Sequence, residues 1–307
     1  MAQRTPDPVG DFARYREIIP DWDAFVGASR VPAPTTIRVN TLRSTTSDLC
    51  RRFEARGIRL ERVPWIVNAL VADPGDRIGA ALEHWLGHYY VQEAVQMLPV
   101  IVLDPQPGER ILDLCAAPGG KSTQIASHMR ECGLLVANEP NGRRQPALLT
   151  NLNRLGVLNA AVTEYRGESF PLRVAFDRVL VDAPCTGEGT RRRGGISSAA
   201  ASAAARRRLS ALQRRLVVRG YDLVRPGGTL VYSTCTFAPE ENEAVIAHLL
   251  RERPARLVPI GLPIPCARGL SEWDGQRFGD VLRRAIRLYP HQLRSGGGFV
   301  ACIERPE

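Results

Sequence analysis

Several features are missing from this 307-residue sequence. No apolar run approaches the roughly 20 residues that a membrane-spanning helix needs. The N-terminus is polar and lacks the apolar core of a signal peptide, so we expect a cytoplasmic protein without a membrane partner. The seven cysteines include no Cys-x-x-Cys pair and no Cys/His cluster with metal-ligand spacing. We therefore expect reduced thiols and no metal, rather than a disulfide framework or a zinc site.

Lysine is scarce, and almost all of the positive charge is carried by arginine. The 41 Lys and Arg residues outnumber the 32 Asp and Glu residues, which gives a formal net charge of +9. Arginines cluster at 190–195, 205–215 and 282–287. Because arginine binds phosphate groups through paired hydrogen bonds, the clusters predict a polyanionic partner. A GC-rich genome that prefers arginine codons, together with solvated helix faces, explains the clusters equally well. Charge alone leaves both interpretations open.

Short apolar runs alternate with helical segments after Pro107. The runs lie at 110–114, 134–139, 160–165, 176–182, 228–235 and 298–305. Helices are predicted at 120–130, 142–155, 199–223 and 239–252. Near-continuous apolar strands that alternate with helices are typical of a parallel sheet covered on both faces. The sequence therefore predicts a doubly wound α/β domain.

The first 85 residues have the pattern of a small α+β module. Strands are predicted at 35–42, 59–64 and 69–73, and a helix at 44–57. The helix starts with Ser and Thr and ends at Gly57, as helices commonly do. We expect residues 1–85 to form this module and residues 86–307 the main domain, with residues 87–108 packing between them as a helix and linker.

The segment ILDLCAAPGGKSTQIA (111–126) predicts a cofactor turn between a strand and a helix. Gly119 and Gly120 let a ligand approach the backbone, and the helix that begins at Lys121 offers free N–H groups. Glu139 closes the next strand, where an acidic side chain binds ribose hydroxyls in sheets of this type. An ordinary strand-to-helix turn explains the glycines alone. Because the pattern is not G-x-G-x-x-G, we expect S-adenosylmethionine rather than a dinucleotide.

Cys185 and Cys235 each follow the end of a predicted strand, where open α/β sheets bind ligands. Asp182 ends the strand before Cys185, and Lys121 lies at the cofactor turn, so nearby cations and amides can activate a thiol. Either cysteine alone is more simply a small buried side chain. The pair favours covalent catalysis, in which a thiolate adds to carbon 6 of a pyrimidine so that carbon 5 can accept a methyl group. Strand-end geometry does not rank the two cysteines.

An ordered set of motifs resembles the RsmB/RsmF (Sun/Nop) family of RNA cytosine-5 methyltransferases. The motifs are IRVNTL, YYVQEAVQMLPV, LDLCAAPGGKSTQIA, VANE, VDAPCTGEGT, LVYSTCTFAPEENEAV and RLYPHQLRSGGGFVAC. The GEG and APEENE variants are most similar to the bacterial RsmF-like branch, here without its C-terminal extension. The resemblance implies a class I methyltransferase domain, with a Rossmann-like and mostly parallel sheet, preceded by an RNA-binding module.

The resemblance also implies roles for individual residues. Cys235 corresponds to the nucleophile and Cys185 to the cysteine that assists product release. Asp182 is expected to orient the target base, beside Lys121. The implied cofactor site consists of Cys115, Ala116, Ala117, Pro118, Gly119, Gly120, Lys121, Glu139, Arg144, Arg166 and Asp182.

Two departures from the family pattern change these expectations. Where the family places an aspartate near adenine, this sequence has Arg166, flanked by Glu164 and Glu168. One of those glutamates is expected to replace the adenine contact. The basic loop at 191–205 lacks the usual tryptophan, so the target-base pocket is expected to be built differently. Without a C-terminal extension, the N-terminal module and the arginine clusters are expected to hold the RNA.

The resemblance predicts a monomeric enzyme that methylates cytosine, with ribosomal RNA as the expected substrate. Transfer RNA is the nearest alternative, because the family also uses it. A non-catalytic RNA-binding or ribosome-assembly factor on the same fold is a second class, and failure to bind S-adenosylmethionine would distinguish it. A thiol hydrolase that pairs a cysteine with His291 is a third, and it requires the imidazole to lie beside the thiol.

Overall fold

The computed structural model describes residues 10–31, 34–73, 75–193 and 202–307. The helices of these ranges are α1 (Trp22–Ser29), α2 (Thr46–Glu54), α3 (Leu82–Trp85), α4 (Leu98–Leu103), α5 (Gly120–Met129), α6 (Gln145–Leu155), α7 (Ala203–Leu223), α8 (Glu243–Glu252) and α9 (Pro290–Leu293). The strands are β1 (Thr35–Val39), β2 (Leu60–Arg62), β3 (Ala69–Ala72), β4 (Tyr89–Val91), β5 (Arg110–Asp113), β6 (Leu134–Asn138), β7 (Ala160–Thr163), β8 (Phe176–Asp182), β9 (Val224–Thr234), β10 (Arg256–Val258), β11 (Ala267–Arg268), β12 (Glu272–Trp273), β13 (Gln276–Arg277), β14 (Ile286–Leu288) and β15 (Gly298–Glu304). Within these ranges, no helix combines the length and the apolar composition that a bilayer crossing requires.

The N-terminal sheet has the strand order β2-β3-β1-β4 and is antiparallel throughout. Helix α2 begins after Thr45, whose side chain accepts a hydrogen bond from the backbone N–H of Asp48 and so satisfies a free donor of the first turn. The apolar side of α2 buries Leu49 and Phe53 in one cluster with Ile37 of β1. The predicted α+β pattern is therefore present.

Strand β4 lies within 87–108, the segment that the sequence patterns predict to be a helix and linker. Tyr89–Val91 instead pair with β1 and complete the N-terminal sheet. A three-residue strand is too short for an alternating pattern to reveal it. The division of the chain after residue 85 stays a prediction.

The larger sheet confirms the predicted doubly wound, mostly parallel architecture. Its strand order is β11-β14-β15-β9-β8-β5-β6-β7, and β10 pairs with β15. The strands from β9 to β7 are parallel, whereas β15 is antiparallel to β9. The chain runs outward from β5 through β6 to β7 and then continues in β8, on the other side of β5. Open α/β sheets bind ligands in the crevice where the strand order reverses in this way.

Helices cover both faces of the larger sheet. Neighbouring residues of β8 point to opposite faces, as in any strand. Val179 belongs to the cluster formed with Val217 of α7 and Val245 of α8, while Leu180 belongs to the cluster that includes Ile125 of α5. With both faces buried, the strands are held in register, and their carboxyl ends meet at one edge.

The segment from Gly10 to Ser29 packs on the main domain rather than on the N-terminal sheet. Phe12 and Phe25 share a buried cluster with Phe237, which follows β9, and with Tyr289, which follows β14. The ring centroids of Phe25 and Phe237 are 5.6 Å apart in an edge-to-face arrangement. The opening residues of the predicted N-terminal module therefore contact the strand ends of the main domain.

Candidate active site

The ends of β8 and β9 bring two cysteines together. Asp182 pairs with Ser233 in the sheet, so the loops that carry Cys185 and Cys235 leave it side by side. The two sulfur atoms are 3.1 Å apart, and the backbone N–H of Cys235 donates to Cys185 Sγ at 3.3 Å. The hydrogen bond to Cys235, together with burial, raises the pKa of Cys185 well above its ordinary value. Cys185 therefore keeps its proton at neutral pH.

Lys121 is the only lysine in the sequence, and it forms an ion pair with Asp182. Its Nζ lies 2.7 Å from Asp182 Oδ2 and donates to Gln96 Oε1 at 2.8 Å. Ser233 Oγ donates to the other carboxylate oxygen at 2.7 Å. Burial acts to lower the pKa of Lys121, but the charge and hydrogen bond of Asp182 outweigh it and raise the pKa. The ammonium group stays charged, and the carboxylate of Asp182 is held in one orientation.

The turn after β5 needs both of its glycines. Gly119 has a φ of 102°, a left-handed conformation that places it ahead of α5. A Cβ at Gly120 would come within 3.0 Å of the ring of Tyr90 in β4. The turn therefore lies directly against the Tyr90 side chain of the N-terminal sheet.

Glu139 follows β6 and is 2% exposed. Its Oε1 accepts a hydrogen bond from the backbone N–H of Asn141 at 2.9 Å, and Arg144 Nη1 lies 3.1 Å from Oε2. Arg144 Nη2 also donates to the carbonyl oxygen of Ala117 at 2.6 Å. Arg144 thus ties the carboxylate to the glycine turn.

One cavity of about 420 Å³ joins these groups. The predicted residues on its wall are Cys115, Ala116, Ala117, Pro118, Gly120, Lys121, Glu139, Arg144, Asp182, Cys185 and Cys235. The rest of the wall includes Tyr90 and Gln92, from β4 and the residue after it, and Gln96. The sequence patterns assign β4 to a linker, so they do not predict that this region lines the site.

Arg166 lies away from the cavity. Its side chain is 79% exposed and lies 3.2 Å from Glu168. Glu164 accepts a hydrogen bond from Gln145 at 3.4 Å, and neither glutamate is on the cavity wall. Gly119 is also absent from the wall and shapes the turn behind it. The structure therefore does not bring Arg166 or its neighbouring glutamates to the predicted cofactor site.

Asp113, at the end of β5, is a wall residue that the sequence patterns do not single out. It is fully buried, and Ser122 Oγ donates to its Oδ2 at 2.7 Å. Its Oδ1 accepts no hydrogen bond of ordinary geometry from the described residues. Burial raises the pKa of Asp113 to about 7, although the Ser122 hydrogen bond opposes the shift. A carboxylate inside an apolar strand was the available signal, because such a residue rarely lies in a core without a partner.

The arginine cluster at 282–287 is not a uniform RNA-binding surface. Arg287 is 1% exposed and pairs with Glu243, with Nη2 and Oε2 2.5 Å apart. Arg283 and Arg284 of the same cluster are exposed. The cluster at 190–195 extends beyond the described residues, as does the start of the predicted helix at 199–223.

His291 does not support a thiol hydrolase. Its ring stacks on Tyr289 with the centroids 5.9 Å apart and contacts Phe25 edge-on. Burial lowers the pKa of His291, and its ring is not on the wall of the cysteine cavity. In the part of the chain that the structure describes, no group of His, Cys, Asp and Glu side chains is arranged to hold a metal ion.

Two known protein families match this chain. The model of the family described as 16S rRNA methyltransferase RsmB/F matches residues 100–304. The model of the N-terminal domain of 16S rRNA methyltransferase RsmF matches residues 12–94. The chain belongs to the RsmB/F family. The resemblance inferred from the motifs is thereby confirmed.

Relatives of this RsmB/F chain cover both of its parts. The mouse 28S rRNA (cytosine-C(5))-methyltransferase is 40% identical over 96% of the chain, and the tRNA (cytosine(49)-C(5))-methyltransferase of Pyrococcus abyssi is 37% identical over 90% of it. A crystal structure of a methyltransferase homologue from Pyrococcus horikoshii is 33% identical, covers 99% of this chain and all of its own, and has a TM-score of 0.84. This likeness confirms the class I methyltransferase fold. The match covers less than half of the length of three eukaryotic relatives: 39% for mouse, 35% for human and 48% for Schizosaccharomyces pombe. It covers 89% of the length of the P. abyssi relative.

Proposed function

We propose that this RsmB/F-family chain is an RNA cytosine-5 methyltransferase that uses S-adenosylmethionine. One observation carries the proposal. The sulfur atoms of Cys185 and Cys235 lie 3.1 Å apart on the wall of the cavity that also contains Glu139 and the glycine turn. A thiol beside a cofactor turn can activate a pyrimidine ring by covalent addition, and a second thiol in contact with it can assist the later release.

In the proposed reaction, the Cys235 thiolate adds to carbon 6 of the cytosine and makes carbon 5 nucleophilic. Bound S-adenosylmethionine supplies an electrophilic methyl group on its sulfonium. A base then removes the proton from carbon 5, and the electron pair of that C–H bond restores the ring as the sulfur leaves carbon 6. The cytosine gains one methyl group and loses one proton, and Cys235 is regenerated.

The contacts of Cys185 support a role in release. Its hydrogen bond to Cys235 is the largest cause of its raised pKa, and the charge of Cys235 adds to burial in the same direction. Both contributions of Cys235 disappear once that sulfur is bonded to carbon 6. Cys185 then lies beside the adduct at the step in which carbon 5 must lose a proton. Asp182, held by Lys121 and Ser233, can accept a hydrogen bond from the exocyclic amine of the base.

The wall of the cavity suits a cofactor with an ammonium group and a ribose. Asp113 Oδ1 is buried and accepts no hydrogen bond of ordinary geometry from the described residues, so it can accept one from the amino group. Glu139, held by Arg144, can accept hydrogen bonds from ribose hydroxyls. Gly120 lies on the cavity wall, where its lack of a side chain lets Tyr90 pack against the turn.

Ribosomal RNA is the proposed substrate, because the two matching family models are both described by their action on 16S rRNA. Transfer RNA is the second candidate. It is favoured by the P. abyssi relative, a tRNA cytosine-5 methyltransferase of which the match spans 89%. We also propose that the enzyme acts in the cytoplasm, in line with its similarity to bacterial ribosomal RNA small subunit methyltransferases F. Bisulfite sequencing of total RNA from cells with and without the gene would separate the two and name the modified position.

The reaction is tested by transfer of a labelled methyl group to unmodified RNA. We expect Cys235→Ala to abolish transfer, and Cys185→Ala to accumulate a covalent protein–RNA adduct that survives a denaturing gel. Cys132→Ala is the matched control, because this exposed thiol is not on the cavity wall. Full activity of Cys235→Ala would refute the mechanism. RNA binding without cofactor binding in calorimetry would favour the non-catalytic assembly factor.

A further inference from the structure

A buried carboxylate joins the two cysteine loops to the beginning of the chain. Glu188 lies three residues after Cys185 and is 2% exposed. Its Oε2 accepts hydrogen bonds from Thr236 Oγ1 at 2.9 Å and from the backbone N–H of Phe237 at 3.3 Å, both in the loop of Cys235. The hydroxyl of Tyr15 lies 3.0 Å from Oε1 and 2.9 Å from Oε2. A single side chain of the Cys185 loop therefore contacts two other segments, the Cys235 loop and the segment of Tyr15.

The backbone around Glu188 lies directly on the backbone of Cys235. The N–H of Gly189 donates to the carbonyl oxygen of Cys235 at 2.8 Å, and the N–H of Gly297 donates to that of Gly189 at 3.1 Å. A Cβ at Gly189 would come within 2.2 Å of the Gly297 carbonyl oxygen. With so little space, a shift of the backbone at Gly189 would disturb its hydrogen bond to the carbonyl of Cys235.

The threonines that follow the two cysteines form a second link between the loops. The hydroxyls of Thr186 and Thr236 are 2.8 Å apart. Glu241 accepts hydrogen bonds from both the N–H and the hydroxyl of Thr186, at 3.1 and 2.7 Å. This link lies within the main domain, whereas the Glu188 link depends on Tyr15 from the N-terminal segment.

Tyr15 acts from outside the cavity. It is fully buried among aromatic rings, with its ring centroid 6.4 Å from that of Phe237, and it is not on the cavity wall. Arg14, next to it, anchors the same segment to Glu240 at 2.6 Å. Burial and the charge of Glu188 raise the pKa of Tyr15, so its hydroxyl remains a hydrogen-bond donor.

We propose that Tyr15 is a positioning residue, which holds Glu188 so that the sulfur atoms of Cys185 and Cys235 stay 3.1 Å apart. The inference rests on the proposed methyl transfer. Without the hydroxyl, the partner that the described residues leave to Oε1 is Arg206, whose Nη1 is 3.9 Å away and beyond hydrogen-bond distance. A buried carboxylate oxygen without a hydrogen bond is costly, so Glu188 must turn or admit water. The release step is the most sensitive, because it requires Cys185 beside the Cys235 adduct.

Tyr15→Phe removes the hydroxyl and keeps the ring. We expect kcat for methyl transfer to fall about tenfold, the effect of losing one buried hydrogen bond of about 1.4 kcal/mol at a charged acceptor. The calorimetric affinity for S-adenosylmethionine should stay within about twofold, because Tyr15 is remote from the cofactor turn. A fraction of the enzyme should also accumulate as the covalent RNA adduct, as expected for Cys185→Ala, and a merely structural role would not produce that adduct.

Tyr221→Phe is the matched control, because it also removes one tyrosine hydroxyl. That hydroxyl donates to the Pro254 carbonyl oxygen at 3.0 Å, at a site remote from the cysteines. Unchanged kcat and no adduct in Tyr15→Phe would overturn the proposal. Equal effects of the two variants would do the same. Should Tyr15→Phe fail to fold, Glu188→Gln is expected to lower kcat and accumulate adduct in its place, and normal behaviour of that variant counts against the proposal.

A second measurement keeps this test separate from the proposed function. Alkylation of Cys185 and Cys235 by iodoacetamide, followed by mass spectrometry, reports the thiol geometry without RNA. We expect Tyr15→Phe to change the ratio of the two alkylation rates by at least about threefold, and Tyr221→Phe to leave it unchanged. If wild-type protein shows no methyl transfer but the ratio shifts, the proposed function fails and the positioning role stands. An unchanged ratio refutes the positioning role.

Discussion

Asp113 should make the stability of this protein depend on pH in a direction opposite to that of most carboxylates. Burial raises its pKa from 3.8 to about 7. A carboxyl whose pKa is higher in the folded state stabilises the fold below its unfolded pKa, and this contribution is lost as the pH rises through the folded pKa. With about 1.4 kcal/mol for each pKa unit, the fold loses about 4 kcal/mol in total between pH 4 and pH 8.

Asp113→Asn removes this titration and retains the shape of the side chain. We expect its free energy of unfolding, measured in urea without cofactor, to gain about 2 to 3 kcal/mol relative to wild type between pH 5 and pH 8. Asp177→Asn is the control, because the pKa of Asp177 is lowered, against the effect of burial, by its hydrogen bonds to Arg110 and Arg225. Its difference from wild type should therefore be constant above pH 5. A constant difference for Asp113→Asn as well would show that Asp113 is ionised throughout and would refute the reasoning.

Two further predictions concern arginines that the sequence does not distinguish. Arg144→Met should weaken S-adenosylmethionine binding about tenfold in calorimetry, because the ion pair that orients Glu139 is lost. Arg166 is exposed and lies away from the cavity, so Arg166→Met should leave the affinity unchanged. An equal loss in both variants would contradict the assignment of Arg144, rather than Arg166, to the cofactor site. Arg287→Met should lower the free energy of unfolding by about 3 to 5 kcal/mol in urea, because Glu243 stays buried without its partner. A loss below about 1 kcal/mol would contradict the expectation that breaking this buried ion pair is costly.

The site residues predicted from sequence are those that follow strands of the larger sheet. Cys185, Cys235 and Asp182 lie together because β8 and β9 are parallel neighbours, and the alternation of strands and helices already implied such a sheet. Arg166 follows β7 in the same way, yet its side chain is turned to solvent. A residue that follows a strand is predicted to lie at the carboxyl edge of the sheet, but the direction of its side chain depends on the local loop.

The residues that sequence reasoning missed come from elements without a recognisable pattern. Strand β4 has three residues, and the side chain of Tyr90 reaches the glycine turn only because β4 pairs with β1. Asp113 can be recognised in the sequence as a carboxylate inside an apolar strand. Neither its complete burial nor its raised pKa can be inferred from the residues next to it in the chain.

The doubly wound sheet, the family and the two cysteines could be predicted from the sequence, because strand periodicity, glycine turns and motif order are properties of residues close together in the chain. Packing between distant elements makes Arg287 an internal ion-pair partner rather than a surface cation, and brings Tyr15 to Glu188 across 173 positions. Such contacts form when separate elements pack, and no local pattern encodes which distant side chains will meet.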